Sequence, residues 1–145
     1  PFDTDVSASF DDPTKYELFI GATGIVLPKK YYDGNSSEAK KKITNLKNYY
    51  TDIYNLAKFK DANKTVDNCM SVESKLAHIT WTPERNHDIK NIHNIIKYSK
   101  LNTMMSNLNL DRYFKVMGYP KVADLNVNQP SYMEDLNKLF KEIPL

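Results

Sequence analysis

Residues 35–77 read NSSEAKKKITNLKNYYTDIYNLAKFKDANKTVDNCMSVESKLA, and the period of their apolar residues decides the fold class. Ala39, Ile43, Leu46, Tyr50, Ile53 and Ala57 follow one another at intervals of 4, 3, 4, 3 and 4 residues, the stripe of one amphipathic helix face. Asn35, with Glu38 three residues on, has the form of a capping box, so the pattern predicts a helix from Asn35 to Ala57. At about 1.5 Å per residue it would span roughly 30 Å, the width of a small domain. Ala62, Val66, Cys69, Glu73 and Leu76 repeat the spacing, with Ala77 beside them. They predict a second helix, joined through Lys58 to Asp61 as an antiparallel hairpin. Lys40, Lys41 and Lys42 fall largely on the outer, solvated side of the first helix.

On the N-terminal side the period shortens. Phe2, Val6 and Phe10 are separated by polar residues, Asp11-Asp12-Pro13-Thr14 is turn chemistry, and Tyr16, Leu18 and Ile20 alternate. This is the pattern of a β-hairpin. Gly21, Gly24 and Pro28 then mark a loop leading to Tyr31 and Tyr32. On the C-terminal side Thr82-Pro83-Glu84 reads as a cap or turn, followed by an irregular stretch and a short helix near Leu101 to Ser106. A helix is predicted from Leu110 to Met117, with Asn109 as its cap and Gly118 as its stop. Leu125 and Val127 alternate with polar neighbours as a short strand, and Ser131 to Glu134 is a capping box opening a last helix through Leu139 and Phe140. The expected fold is therefore mainly α, a helical bundle-like domain with a small β-hairpin element.

The chain has 145 residues, 41% hydrophobic and 26% charged, with a net charge of +2. That length favours one domain with room for a core. Arg85 and Arg112 are the only arginines; nucleic-acid readers favour the bidentate guanidinium, so this balance argues against a nucleic-acid partner. No apolar run approaches the ~20 residues that span a bilayer, so no membrane partner is expected for this segment. Cys69 is the only cysteine, which rules out an internal disulfide and a Cys-based zinc site. Because the first residue is Pro1 rather than Met, the chain is expected to be a fragment of a longer protein.

Residues that could carry chemistry are few. A helical zinc protease needs two histidines four apart with a Glu base between them, whereas His78, His87 and His93 are separated by 9 and 6 residues. Neither catalytic residues nor metal ligands are therefore expected in this chain. Cys69 lies on the apolar stripe of its helix, where cysteine acts as a small hydrophobe. Gly21-Ala22-Thr23-Gly24 lacks the later glycines of a phosphate loop. Asn35-Ser36-Ser37 and Asn63-Lys64-Thr65 match the glycosylation sequon, a pattern that arises easily in an Asn- and Ser-rich chain. Glu73 is unusual because it sits on the apolar stripe, where an unpaired carboxylate is costly. Three placements are open. Helix rotation leaves it at the solvent edge, or it is buried and paired with Arg85 or a backbone turn near Pro83, or it belongs to a catalytic centre.

Four ordered segments resemble the neprilysin-type zinc metalloendopeptidases, the family that includes the endothelin-converting enzymes and bacterial endopeptidase O. Gly24-Ile25-Val26-Leu27-Pro28 followed by Tyr31 and Tyr32 is similar to that family's Gly-Leu-x-Leu-Pro segment and tyrosine pair. Glu73-Ser74-Lys75-Leu76-Ala77 matches its Glu-x-x-Leu-Ala helix end. Pro83-Glu84, Asp88 and Asn94 are similar to the Pro-Glu, Arg-Asp and Tyr-Asn stretch that comes next. Val127 through Gln129, Pro130 and Tyr132 resembles its Val-x-x-Pro-x-Tyr segment. Order and approximate spacing agree from about Phe2 to Leu145. The departures are two residues rather than three between Pro28 and the tyrosine pair, Asn86 where an Arg is usual, with Arg85 shifted by one, and His93 at the family's Tyr.

The resemblance implies that residues 1–145 are a fragment of the helical, non-catalytic domain that covers the active-site cavity in this family, with the zinc ligands and Glu base in a later thermolysin-like domain. It implies no cofactor in this fragment, Zn in the parent enzyme, and the catalytic domain of the same chain and peptide substrates as partners. Self-association of the fragment is a further expectation. A bacterial parent is expected, at the cell surface or, slightly favoured, in the cytoplasm. The alternative function is a free-standing helical module that binds a protein or peptide on its Tyr-rich faces. A third is a nucleic-acid binder using Lys29, Lys30 and Lys40 to Lys42.

Overall fold

The turn at Asp11 to Thr14 folds as its chemistry predicts. Asp12 Oδ1 accepts hydrogen bonds from the Thr14 amide at 3.1 Å and its hydroxyl at 2.6 Å, an Asx-type turn. A computed structural model describes residues 1–143 of the chain; Pro144 and Leu145, the end of the expected 1–145 span, lie outside the described residues. In chain order the elements are β1 (Phe2–Ala8), β2 (Tyr16–Ala22), α1 (Lys30–Asp33), α2 (Ser37–Leu56), α3 (Ala62–Ile79), α4 (Pro83–His87), α5 (Ile89–Ile92), β3 (Ile95–Lys97), α6 (Tyr98–Met104), α7 (Leu110–Met117), β4 (Asp124–Val127) and α8 (Pro130–Glu142). The fold is mainly α with a small β element. Where length alone suggests one domain, the chain forms two compact units: Pro1–Thr23 with Trp81–Leu145, and Gly24–Thr80. Among the described residues no helix is long and apolar enough to cross a membrane.

In the first unit the predicted hairpin is the start of a four-stranded sheet, ordered β1-β2-β4-β3. β1 and β2 pair antiparallel from Phe2 opposite Ala22 to Ala8 opposite Tyr16. β2 runs parallel to β4, with Phe19 opposite Asn126 and Ile20 opposite Val127, and β3 is antiparallel to β4. Consecutive residues of the two central strands are buried: Leu18, Phe19 and Ile20 on β2, and Leu125, Asn126 and Val127 on β4. Both faces of these strands are thus covered, and that removes the alternation expected for β4. The core of this unit also takes Leu101 from α6, Leu110 from α7 and Tyr132, Met133 and Leu136 from α8.

Two local expectations change in this unit. The stretch after Pro83, read as irregular, holds α4, α5 and β3; elements this short carry no readable period. Thr82 caps α4 as expected, accepting from the Arg85 amide. The Ser131–Glu134 box does not open α8. That helix starts two residues earlier, at Pro130 with Gln129 in the cap position and no side-chain cap, and the Ser131 hydroxyl instead accepts from Trp81 Nε1 at 2.8 Å. The α7 prediction holds at both ends, with Asn109 accepting from the Arg112 amide and Gly118 left-handed at φ 75°.

The second unit contains α1 and the antiparallel helical hairpin of α2 and α3. The connection turns through two left-handed non-glycine residues, Lys58 at φ 57° and Asp61 at φ 55°. Ala39, Leu46, Ala62, Val66, Leu76 and Ala77 are buried, as their stripe predicts. Cys69 is half-buried with its sulfur 3.6 Å from the Tyr54 hydroxyl. Lys40, Lys41 and Lys42 are exposed. Two expectations fail. The cap of α2 is Ser36, which accepts from the Ala39 amide at 3.1 Å, not Asn35; Glu38 accepts from the Tyr31 hydroxyl instead of closing a box. The stripe also stops short, because Ile53 is 42% exposed and Ala57 is exposed.

Candidate functional site

Glu73 organises the segment that carries the first sequence motif. It is 6% exposed on α3, so burial, not the solvent edge, is its placement. Its Oε1 accepts from the Val26 amide at 2.8 Å and from the Tyr32 hydroxyl. Its Oε2 accepts from the Tyr50 hydroxyl at 3.0 Å. Tyr32 also receives the Leu27 amide at 3.1 Å. The expected pairing with Arg85 or a turn near Pro83 is therefore wrong: the charge is met by three neutral donors from the Val26 loop, α1 and α2. Buried ions need such partners, and donors to a carboxylate are among the stronger hydrogen bonds.

The surroundings keep the two phenols protonated. Burial, and next the bond to Glu73, hold the Tyr32 hydroxyl up at about 12. The same two causes raise Tyr50. Both phenols therefore remain donors at neutral pH, and both Glu73 oxygens are occupied by them and by Val26. A carboxyl group bonded in this way on both oxygens holds the Val26–Tyr32 segment against α3. Lys29 adds a second tie, donating to the carbonyls of Ala77 at 2.6 Å and His78 at 2.7 Å, where a cation also suits the helix C-terminus.

Of the sequence-predicted residues, Leu27, Tyr32 and Glu73 are thus brought together. Leu76 and Ala77 are buried on the same helix, Pro28 is exposed beside the motif, and Tyr31 bonds Glu38. The later motifs build a separate arrangement within the first unit. Gln129 accepts from the Trp81 amide at 3.1 Å, and the Arg85 guanidinium lies 3.4 Å from the Trp81 ring centroid, a cation–π contact. Pro130 opens α8, and the buried Tyr132 donates to the carbonyl of Pro1. Glu84 is exposed in the first turn of α4, and Asp88 caps α5 by accepting from the Lys90 amide. Sequence reasoning did not find Trp81 or the roles of Lys29 and Tyr50; the lone tryptophan was the one available signal.

The histidines are spread over three elements. His78 is on α3, His87 ends α4 and His93 closes α5. They do not fit the two-histidine helical site of a zinc peptidase, and no hydrolytic step is assigned to them. The first unit also has a groove of about 620 Å³ lined by Tyr98, Phe114, Tyr119 and Val122 among others, where Tyr98 donates to Asp111 Oδ1 at 2.6 Å.

Comparison with known proteins gives the family. The model described as Peptidase family M13, for the N-terminal part of such proteins, matches residues 1–145. No curated protein matches the chain. Similar solved structures include the zinc metalloprotease Zmp1 of Mycobacterium tuberculosis in its open state, at 21% identity and a TM-score of 0.89, covering 99% of this chain and 23% of that one. The same protein in complex with inhibitor gives 19% identity and a TM-score of 0.89, with coverages of 99% and 22%. PepO of Lactobacillus rhamnosus gives 18% identity and a TM-score of 0.81, with coverages of 96% and 22%. The chain thus spans under a quarter of the length of these proteins, and the likeness shows a shared fold. With the family match running from the first residue to the last, this chain belongs to peptidase family M13, within its N-terminal region.

Proposed function

We propose that this chain is the non-catalytic cap of a zinc-dependent metalloendopeptidase that cleaves small peptides, and that the cap restricts access to the active-site cavity. The observation that carries the reading is the match of residues 1–145 to the N-terminal part of the family, in a chain whose buried acid, Glu73, is bonded by Val26, Tyr32 and Tyr50. The solved relatives named as zinc metalloproteases support a peptidase as the parent. In the parent, zinc would activate water for attack on a peptide carbonyl, held by residues outside this chain. The partner of the cap is then the catalytic domain of the same protein.

The test uses the full-length enzyme. Bulky substitutions are placed on exposed apolar positions of each unit, Ile53→Trp and Leu56→Trp in one, Val116→Trp and Met117→Trp in the other. Cleavage of short and long peptides is compared while zinc content is measured. The expected result is a changed ratio of long to short cleavage for at least one face, at constant zinc. If every variant loses both activities in equal proportion together with zinc, these faces are structural only and the cap reading fails.

A further inference from the structure

The first unit brings together three side chains that the sequence analysis left apart. Asp11 sits in the β1–β2 turn, Glu17 on β2 and His93 at the end of α5, and one ligand atom from each lies within 4.8 Å of the others. Two of these atoms are shut off from solvent and unpartnered: Glu17 Oε2 and His93 Nε2. Buried polar atoms are ordinarily hydrogen-bonded, so two without a hydrogen bond in one cluster require an explanation.

We propose that Asp11, Glu17 and His93 bind one divalent transition cation of the zinc class, as a structural site. This inference does not rest on the catalytic reading of the parent. His93 Nε2 and Asp11 Oδ2 are 3.4 Å apart, within ion-pair distance, yet Nε2 makes no hydrogen bond. Two ligands on one zinc ion, each at about 2.0–2.1 Å and at the tetrahedral angle, are separated by roughly 3.3 Å. That pair is therefore already at ligand spacing. Two carboxylates balance the charge of a dication, and the imidazole selects a transition metal over Mg2+ or Ca2+.

The surroundings orient the ligands. The buried Ser9 hydroxyl donates to Glu17 Oε1 at 2.5 Å, and Oε2 is left without a hydrogen bond. The same hydroxyl accepts from the amides of Asp11 at 3.1 Å and Asp12 at 3.3 Å, fixing the turn that carries Asp11. Phe10 packs edge-on against His93 with centroids 5.5 Å apart, limiting the ring's freedom. Outer partners of this kind characterise built metal sites. The cation would tie the hairpin turn to the segment entering β3.

The metal-free 145-residue chain is titrated calorimetrically with zinc chloride alone and, separately, with magnesium chloride, and its thermal unfolding is followed with and without zinc. One zinc per chain at micromolar Kd, a raised Tm and no magnesium binding are expected. His93→Gln and Glu17→Gln should each weaken zinc at least tenfold, Ser9→Ala by about tenfold, and His78→Gln and His87→Gln by less than twofold. Zinc-edge absorption of the unaltered chain should show a single imidazole among oxygen ligands, a readout that survives if a variant misfolds. Absence of zinc binding tighter than millimolar, loss that follows His78 or His87, or equal binding of magnesium overturns the proposal.

Discussion

Tyr50 on α2 donates its hydroxyl to Glu73 Oε2 on α3 at 3.0 Å, so the two long helices share a buried charge as well as an apolar seam. Replacing Glu73 with Leu would strand this hydroxyl together with Tyr32 and the Val26 amide. Each hydrogen bond to a charged group is worth about 1.5–3 kcal/mol, and orphaned donors add their desolvation penalty. The expected loss is about 3–5 kcal/mol, since three neutral donors lose one acceptor and none of them is left charged. Urea unfolding monitored by circular dichroism measures it. A change within ~0.5 kcal/mol would mean that Glu73 behaves as a surface residue.

The same hub should make the fold sensitive to alkali. Tyr32 titrates near 10 when unfolded and is held at about 12 in the fold. Above pH 10 the unfolded chain releases this proton and the folded chain keeps it, so stability falls as pH rises. The contribution is complete below pH 10 and is lost on passing through about 12. Tyr32→Phe should flatten the stability profile between those values while lowering stability at pH 7. An unchanged slope in the variant would exclude Tyr32 as the source.

How much of this was readable in the sequence depended on period and caps. The α2–α3 hairpin and α7 were legible because their apolar residues repeat with the helix and because Asn109 and Gly118 mark the ends of α7. The four-residue helices α1 and α5 were not, since one turn defines no stripe. β4 was located but misjudged as half-buried, because Asn126 at its centre is buried and bonded to the Asn94 amide. Glu73 was recognisable as anomalous, yet its amide donor Val26 is 47 residues away, a distance over which local pattern says nothing. Asp11, Glu17 and His93 were invisible for the same reason: a turn, a strand and a helix end meet only in the fold.

Two glycines should respond to alanine for different reasons. At Gly34 a Cβ would come 2.7 Å from the backbone oxygen of Lys30 and 3.1 Å from the Ala39 Cβ. Relief requires backbone movement between α1 and α2, costing about 1–3 kcal/mol as overpacking does. At Gly118 nothing lies within 4 Å, but φ is +75°, so the expected loss is about 1–2 kcal/mol of left-handed strain. Gly118→Asn should recover part of that loss, and Gly34→Asn none. Equal behaviour of the two sites in thermal melts would contradict this division.

Gln129 is the most specific test of the later motif. Its carbonyl receives the buried Trp81 amide, so Gln129→Ala leaves that donor unpaired at about 1–3 kcal/mol. A Tm of Gln129→Ala equal to that of the unaltered chain would show that the bond is dispensable.

The C-terminal half of α2 gives the last prediction. Tyr49, Ile53 and Leu56 are 60%, 42% and 83% exposed and follow the 4-3 spacing, with Phe59 beyond them at 55%. They continue, past Leu46, the side of α2 that packs Ala39 and Leu46, and here that side is left uncovered. Contiguous exposed apolar residues of this kind mark interaction surfaces or association liabilities. The isolated 145-residue chain should therefore self-associate as its concentration rises, with a sedimentation coefficient that increases accordingly. Tyr49→Lys combined with Leu56→Lys should keep it monomeric. Stability should shift by no more than ~0.5 kcal/mol, as for surface substitutions. If the double variant associates like the unaltered chain, the stripe is not the contact. If it unfolds instead, those side chains contribute to packing and their exposure has been misjudged.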